Sequence, residues 1–277
     1  MILPGEIDLG CPVNLDSPLT DRLAAFWTGI PGLDALPAVP DAALRYPAAV
    51  TASPTVVTDR FGFTGRTYNG SSQYANAGAD LLAAVATTPF TVAAVITHPA
   101  SAGASSQFAI AKDWHTGSRG WGVGVSSTGQ LYAETDGALR LSSVGPVMTG
   151  TGTDVPWLIA LSYDGGATGL WEGSVNGAQI GSWSNGAAAS NTSPLYLGGR
   201  AYSGYFNGFN GSVWAAWAWS GRYMTLAELS RVFDEWQNGY PTLLRRTSNT
   251  RWLTPVSPPP PPAAAPYLPA FAPGFGW

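Results

Sequence analysis

From about residue 55 onward, short runs of β-branched and aromatic residues alternate with clusters of Gly, Ser and Asn. This spacing is typical of short strands joined by turns in a β-sandwich. Strands are predicted at Thr55–Thr58, Thr67–Tyr68, Phe90–Thr97, Gln107–Lys112, Gly120–Ser126, Leu131–Thr135, Trp157–Tyr163, Thr168–Val175, Gln179–Ser184, Leu195–Gly198 and Gly211–Trp219. The many short strands and the scarcity of helical periodicity predict an all-β fold with two antiparallel sheets.

The segment Phe90–Thr97 shows where one strand lies in this fold. Its even-numbered residues from Phe90 to Ile96 share one face of a strand, while Ala93 and Val95 lie on the other face. Both faces are apolar. This pattern predicts a strand in the middle of the sheet, covered by a packed layer on each side.

One short helix is predicted near the C-terminal end of the β region. Thr225 and Glu228 have the spacing of a capping box, in which each side chain bonds the backbone N–H of the other residue. The apolar residues after it recur at helical spacing: Leu226, Leu229, Phe233 and Trp236. Asn238 and Gly239 supply a left-handed exit. The apolar stripe is expected to pack on the sandwich.

The two ends of the chain have a different composition. In residues 1–20, prolines interrupt any helix, and apolar residues occur without period, which predicts an extended arm. Residues 245–277 are rich in Arg and Pro, and the five-proline run Pro258–Pro262 favours polyproline II. Aromatic residues predicted to anchor a partner follow it: Tyr267, Phe271, Phe275 and Trp277. The predicted division is therefore an arm at 1–20, a sandwich domain at 21–244 and an arm at 245–277.

Composition and charge argue against several classes of partner, metal site and targeting segment. Thirteen basic and 17 acidic residues leave a net charge of −4, which argues against a nucleic-acid partner. A single Cys excludes an internal disulfide framework and a multi-Cys zinc site. The most apolar window, Leu81–Ile96, is interrupted by Pro89, so no membrane span is expected. The early chain lacks basic residues and a continuous apolar stretch, which argues against a signal peptide.

Several motifs resemble the concanavalin A-like, laminin-G-like lectin and glucanase domains. The segments that carry the resemblance are Phe61-Gly-Phe-Thr-Gly-Arg-Thr-Tyr-Asn-Gly, Pro89-Phe-Thr-Val-Ala-Ala-Val-Ile, Trp157-Leu-Ile-Ala-Leu-Ser-Tyr-Asp-Gly-Gly, Leu195-Tyr-Leu-Gly-Gly-Arg and Phe209-Asn-Gly-Ser-Val-Trp-Ala-Ala-Trp-Ala-Trp-Ser. The resemblance implies a jelly-roll sandwich closed by one short C-terminal helix. Members of this family bind glycans, hydrolyse them or only build structure, so the fold alone does not choose a function.

The flanking sequences resemble the borders of such domains in tailed phages and prophages. They are Asp16-Ser-Pro-Leu-Thr-Asp-Arg-Leu at the start and Tyr240-Pro-Thr-Leu-Leu-Arg-Arg at the exit. The resemblance implies a virion structural protein, either a head decoration or a tail-associated component. Its expected location is the virion, and its expected partners are other virion proteins and copies of itself in a homo-oligomer. The alternative is a lectin module that binds host-surface glycans.

Catalytic chemistry has little support in the sequence. A glycosidase needs two facing carboxylates, and the best pair on a strand is Glu134 with Asp136. Related glucanases place a third acid further along such a strand, where this chain has Gly137 to Leu139. The protein is therefore expected not to be an enzyme, and a glycosidase is the least favoured alternative.

No cofactor is expected, although a bound calcium ion is kept as an alternative. Laminin-G-like domains often hold this ion at the rim of a sheet, and Asp164, Asn207 and Asn210 carry suitable oxygens. Their spacing is not diagnostic of a calcium site. The three residues are therefore kept as a candidate set.

Two loops carry the mixture of aromatic, amide and basic groups that recognises sugars. The candidate glycan-binding residues are Trp114, His115, Arg119 and Trp121 in the first loop, and Tyr202, Tyr205 and Asn207 in the second. Such loops also seal sandwich ends or form subunit contacts. The tryptophans placed on strands, among them Trp214 and Trp217, are expected to pack in the core or on a sheet face.

Overall fold

The structure, a computed structural model, describes residues 13–29, 38–39, 41–43, 46–82, 87–98, 106–112, 120–135, 138–145, 147–148, 155–166, 168–184, 193–202 and 205–244. The strands are β1 (Leu23–Trp27), β2 (Ala38–Val39), β3 (Ala48–Thr51), β4 (Thr55–Thr58), β5 (Thr64–Asn69), β6 (Tyr74–Asn76), β7 (Phe90–Thr97), β8 (Gln107–Lys112), β9 (Trp121–Val125), β10 (Leu131–Thr135), β11 (Ala138–Val144), β12 (Trp157–Tyr163), β13 (Leu170–Val175), β14 (Ala178–Ser184), β15 (Leu195–Leu197), β16 (Ala201–Tyr202), β17 (Tyr205–Phe206) and β18 (Asn210–Ser220). The α-helix is α1 (Leu226–Gln237), and a 3-10 turn covers Pro18–Thr20.

Two antiparallel sheets of eight strands form a sandwich. The first sheet has the order β14-β13-β12-β7-β18-β5-β4, and β1 also pairs with β18. The second has the order β11-β10-β9-β8-β15-β6-β3-β2. The large apolar cluster between them takes residues from both sheets, including Val92 from β7 and Val123 from β9. This arrangement confirms the predicted two-sheet antiparallel sandwich.

The central strand β7 is buried along its whole length between β12 and β18. Its face with Phe90, Val92 and Ile96 belongs to the cluster between the sheets. Its other face, with Ala93 and Val95, belongs to a second apolar cluster outside the first sheet. The expectation of two covered faces is therefore confirmed.

The second cluster is covered by α1, whose capping box is present. Thr225 Oγ1 accepts a hydrogen bond from the Glu228 N–H at 3.3 Å, and Glu228 Oε2 accepts one from the Thr225 N–H at 2.8 Å. Gly239 follows the helix with φ +73° and supplies the predicted left-handed exit. Within the described ranges, no helix is long and apolar enough to cross a membrane.

All eleven predicted strands are present, and further short strands join them. Those without a sequence prediction are β2, β3, β6, β11, β16 and β17, while the sequence of β1 is compatible with either a strand or a turn. Strand β6, for example, has only three residues, Tyr74–Asn76, and lies between β15 and β3. Such short polar segments become strands because their neighbours offer backbone partners, which is a tertiary effect.

The last part of the predicted N-terminal arm packs against the sandwich instead of extending from it. Val13 and Leu244 form an isolated antiparallel bridge, and the Asn14 N–H donates to the Leu243 carbonyl at 2.9 Å. Leu19 is buried in the cluster beneath α1. The two ends of the described chain therefore lie side by side, while the division into arms and body stays a prediction.

Candidate functional site

A cleft of about 490 Å³ opens beside the C-terminal end of α1, on the outer side of the first sheet. Its walls come from the β4–β5 turn, from β7 and β18, from the residue before β12, and from the helix end. The lining residues are Asp59, Arg60, Phe61, Thr97, Pro156, Trp214, Trp236, Gln237 and Asn238. Its volume is in the range of ordinary ligand pockets, about 300–1,000 Å³.

A β-bulge in β18 places Trp214 in the cleft. The pairing of β18 with β7 shifts register between Val213 and Ala215, so Trp214 is the extra residue of the bulge. A Cβ added at Gly65 on the neighbouring strand would lie 2.5 Å from the Val213 carbonyl oxygen, so glycine permits this close approach. Trp214 is half-buried, and its indole N–H donates to Thr97 Oγ1 at 3.2 Å. The ring is thereby held in one orientation.

The last turn of α1 supplies a second indole. Trp236 is half-buried and stacks on Phe233 with the ring centroids 5.9 Å apart and an angle of 2° between the planes. The exposed residues Gln237 and Asn238 follow it directly. The Asn238 side chain donates to the Asp234 carbonyl at 2.8 Å, which secures the helix end. An aromatic face and two carboxamides therefore border the cleft from the helix side.

The β4–β5 turn forms the opposite wall. Asp59 Oδ1 accepts hydrogen bonds from the N–H groups of Phe61 at 2.8 Å and Phe63 at 2.9 Å. Burial raises the pKa of Asp59, although these backbone bonds oppose the change. The Arg60 guanidinium lies 4.8 Å from the centroid of the Phe61 ring and donates to the Gln237 carbonyl oxygen. A cation at a helix C-terminus is favourable, so Arg60 ties the turn to α1.

The chemistry of this cleft is suited to binding. Three half-buried rings, Phe61, Trp214 and Trp236, provide apolar surface beside the exposed amides of Gln237 and Asn238. Among the lining residues only Asp59 is acidic, whereas glycoside hydrolysis ordinarily uses a pair of carboxyl groups. Apolar walls with a few placed polar groups are typical of a ligand site.

Sequence reasoning did not find this cleft, because Trp214 and Trp236 were both expected to pack. A signal for the bulge is nevertheless present in the spacing of the tryptophans of β18. Trp217 and Trp219 are two apart and share a face, but Trp214 and Trp217 are three apart and would lie on opposite faces of a regular strand. Trp217 and Trp219 are fully buried, as expected.

The first predicted sugar-binding loop is described only at its end. Trp114, His115 and Arg119 lie outside the described residues. Trp121 is 3 % exposed and packs within the sandwich, with its ring centroid 4.9 Å from that of Phe90. The Trp121 ring is therefore part of the core and does not face solvent, contrary to the expectation that it binds sugar.

The second predicted loop forms a small hairpin. Tyr202 of β16 pairs with Tyr205 of β17. Asn207 and Arg200 exchange backbone hydrogen bonds of 3.2 Å at the base of this hairpin. The hairpin brings these candidate residues together along the backbone, and their role in sugar binding stays a prediction.

Glu134, the acid considered for glycoside hydrolysis, is held in a partly buried ion pair. Arg200 donates to Glu134 Oε1 at 3.1 Å, and the Tyr132 hydroxyl donates to Oε2 at 3.0 Å. The Arg200 guanidinium also lies 4.6 Å from the centroid of the Phe108 ring. Burial, and then the nearby Glu134 carboxylate, raise the pKa of Tyr132 to about 12. These contacts link β10 to the base of the hairpin, while Asp136 lies outside the described residues.

The candidate calcium ligands do not converge. Asp164 follows the end of β12 that pairs with Phe90, whereas Asn207 and Asn210 lie at the end of β18 that pairs with Thr97. Phe90 and Thr97 are the two ends of β7, about 23 Å apart at about 3.3 Å per residue. The described part of the chain also contains no group of three His, Cys, Asp or Glu residues arranged to hold a metal. The set is therefore not one calcium site.

The four aromatic residues predicted to anchor a partner, Tyr267, Phe271, Phe275 and Trp277, lie outside the described residues. Their anchoring role stays a prediction.

No protein-family model matches the sequence, and no curated protein matches it. Solved structures do match. A mutant of Trypanosoma rangeli sialidase with trans-sialidase activity matches with a TM-score of 0.57 and 16 % identity, over 79 % of this chain and 33 % of the sialidase chain. This chain therefore spans about a third of that protein's length.

Two further structures show the same type of fold. Domain 4 of AbnA, an extracellular GH43 arabinanase from Geobacillus stearothermophilus in complex with arabinotriose, matches with a TM-score of 0.54 and 13 % identity, over 76 % of this chain and 98 % of the domain. Botulinum neurotoxin type C matches with a TM-score of 0.56 and 10 % identity, over 78 % of this chain and 52 % of the toxin chain.

At these identities the likeness concerns the fold alone: a lectin-like β-sandwich. These neighbours give no support to a phage type. Two come from glycosidases, which does not decide whether this chain is an enzyme.

Proposed function

We propose that this protein is a carbohydrate-binding module that takes a neutral oligosaccharide into the cleft beside the end of α1. The observation that carries the proposal is the convergence of Phe61, Trp214 and Trp236 around one cleft with exposed carboxamides at its edge. This is the lectin alternative of the sequence analysis, assigned to a different site.

The geometry suits a sugar ring, which has an apolar face of C–H groups and an edge of hydroxyls. The indoles of Trp214 and Trp236 offer flat surfaces for the apolar face, and both are held by contacts within the protein. Gln237 and Asn238 offer amide donors and acceptors for the hydroxyls. Because the rings are already ordered, little side-chain entropy is lost on binding.

The fold neighbours support this class of function. One of them holds arabinotriose, and cell entry of the botulinum neurotoxin depends on interaction with two ganglioside molecules. These ligands belong to those proteins. They make arabinotriose a reasonable first probe, to be followed by a glycan array of neutral oligosaccharides.

The test is a titration of the full chain with arabinotriose and with any sugar that binds on the array. Trp214→Ala and Trp236→Ala are each expected to weaken binding by about tenfold or more, which corresponds to about 1.4 kcal/mol. Trp183→Ala is the matched control, because Trp183 is also half-buried but lies on β14, away from the cleft. The proposal fails if no sugar binds, or if all three variants bind the sugar as the parent does.

We propose a second role from the sequence, compatible with the first: attachment of this module to an assembly, as in a virion. The phage-like flanks and the aromatic C-terminal arm support it. The pairing of Val13 with Leu244 supports a single attachment point, because the first and last described residues of the chain lie side by side. Removal of residues 255–277 should leave a folded protein that no longer joins particles. Normal incorporation of the shortened protein would contradict this role.

A further inference from the structure

The predicted C-terminal arm contains a proline-rich segment of the kind that other proteins bind. Pro258–Pro262 is a run of five prolines followed by alanines. Such a run favours polyproline II, in which the backbone carbonyls have no internal hydrogen bonds and the pyrrolidine rings are exposed. Because this conformation is already restricted, docking it costs less entropy than ordering a flexible chain.

The cleft beside α1 has the complementary chemistry. Proteins that bind proline-rich segments do so in shallow grooves lined by aromatic side chains. Here Trp214, Trp236 and Phe61 provide the aromatic lining. The amide of exposed Gln237 and the guanidinium of Arg60 are donors at the cleft edge for the carbonyls of a docked segment.

The connection between cleft and arm is short. The cleft residue Asn238 is six positions before Leu244, where the described chain ends. From Leu244 to Pro258 there are 14 residues, which span up to about 46 Å at about 3.3 Å per residue. A domain of this size is about 45 Å across. The proline run can therefore reach the cleft of its own chain, at an effective concentration on the order of 1 mM.

We propose that the Pro258–Pro262 run of the arm docks in the cleft formed by Phe61, Trp214 and Trp236 of the same chain. A docked arm and a bound sugar cannot occupy the cleft together. The arm then regulates the sugar site by competition, and this last step rests on the proposed function. Docking itself does not depend on it.

The test of docking uses the full chain labelled with 5-fluorotryptophan, without sugar. Its ¹⁹F spectrum is compared with that of a variant in which Pro258–Pro262 is replaced by Gly-Ser-Gly-Ser-Gly. Resonances are assigned with Trp214→Phe, Trp236→Phe and Trp183→Phe. We expect the replacement to move the signals of Trp214 and Trp236 and to leave that of Trp183 unchanged. Unchanged signals from both cleft tryptophans would overturn the proposal.

Two further measurements test whether the contact forms within one chain and whether the proline-rich segment makes it. The shifts should be the same over about a tenfold range of protein concentration, as expected for an intramolecular contact; a concentration dependence would point to the arm of a second copy and overturn docking within one chain. A synthetic peptide of residues 255–268 added to the replacement variant should return both signals to their positions in the parent. Failure of the peptide to do so at millimolar concentration would also count against docking.

Sugar titrations separate this proposal from the proposed function. If both hold, the replacement variant binds the sugar several-fold more tightly than the parent, because no arm competes. If the signals of Trp214 and Trp236 move but no sugar binds, docking stands and the proposed function fails. If sugar binds equally to both proteins and the signals do not move, the proposed function stands and docking fails.

Discussion

The buried side chain of Lys112 is predicted to make a large, pH-dependent contribution to the stability of the fold. Lys112 is the only lysine in the sequence, and its side chain is fully buried at the end of β8. Its ammonium group donates to the carbonyls of Ala79 at 2.9 Å, Leu81 at 2.8 Å and Ser193 at 2.9 Å. One side chain therefore holds two separate loops against β8.

Lys112→Met keeps most of the length and the apolar contacts but removes all three donors. The bond to the Leu81 carbonyl is buried, and those to Ala79 and Ser193 are partly buried. An unsatisfied buried carbonyl costs about 1–3 kcal/mol, and less where water reaches it. The expected loss in the free energy of unfolding at pH 7 is therefore about 3 kcal/mol.

The effect should depend on pH. Burial lowers the pKa of Lys112 from 10.5 to about 8 in the folded protein. Between these values the unfolded chain binds more protons at this group than the folded one, so this group's contribution to stability rises with pH. The slope reaches at most about 1.4 kcal/mol per pH unit. Lys112→Met lacks this contribution, so the stability gap to the parent should widen above pH 8.

The assay is urea unfolding followed by tryptophan fluorescence, for parent and variant at pH 7 and pH 9.5. Titration of the tyrosines affects both proteins alike and cancels in the difference. Arg231→Met, which removes an exposed cation of α1, is the control and should change stability by less than about 0.5 kcal/mol. A loss below about 1 kcal/mol for Lys112→Met, or a gap that does not change with pH, would refute the reasoning.

Three further substitutions test other contacts by the same unfolding measurement. Thr225→Ala removes the helix cap and should cost about 1 kcal/mol, with Thr225→Ser retaining most of the stability. Gly124→Ala should be severely destabilising, because the new Cβ would lie 1.8 Å from the Gln107 carbonyl oxygen; stability close to that of the parent would contradict the close strand contact. Glu134→Ala leaves Arg200 without its ion-pair partner and should cost about 3 kcal/mol, and an effect near zero would show that water already screens this pair.

Local sequence patterns predicted most of the strands and both ends of the helix. The alternation within Phe90–Thr97 placed this strand at the centre, because a strand with two apolar faces requires a cover on each side. The spacing of Thr225 and Glu228 determined where α1 begins, since a capping box is satisfied within four residues. Gly239 similarly marked the helix exit. Each of these features depends on neighbours along the chain.

The candidate cleft was decided by the tertiary structure. Phe61, Trp214 and Trp236 come from a turn, a bulge and a helix end that are distant in sequence. Each has an ordinary packing role in its own segment, so no local pattern distinguishes it. The bulge at Trp214 shifts the register of β18 against β7, beside the close approach of Val213 to Gly65 of β5, and it reverses the face predicted by strict alternation. A binding surface assembled in this way depends on register between strands, and strand register is a property of the folded sheet.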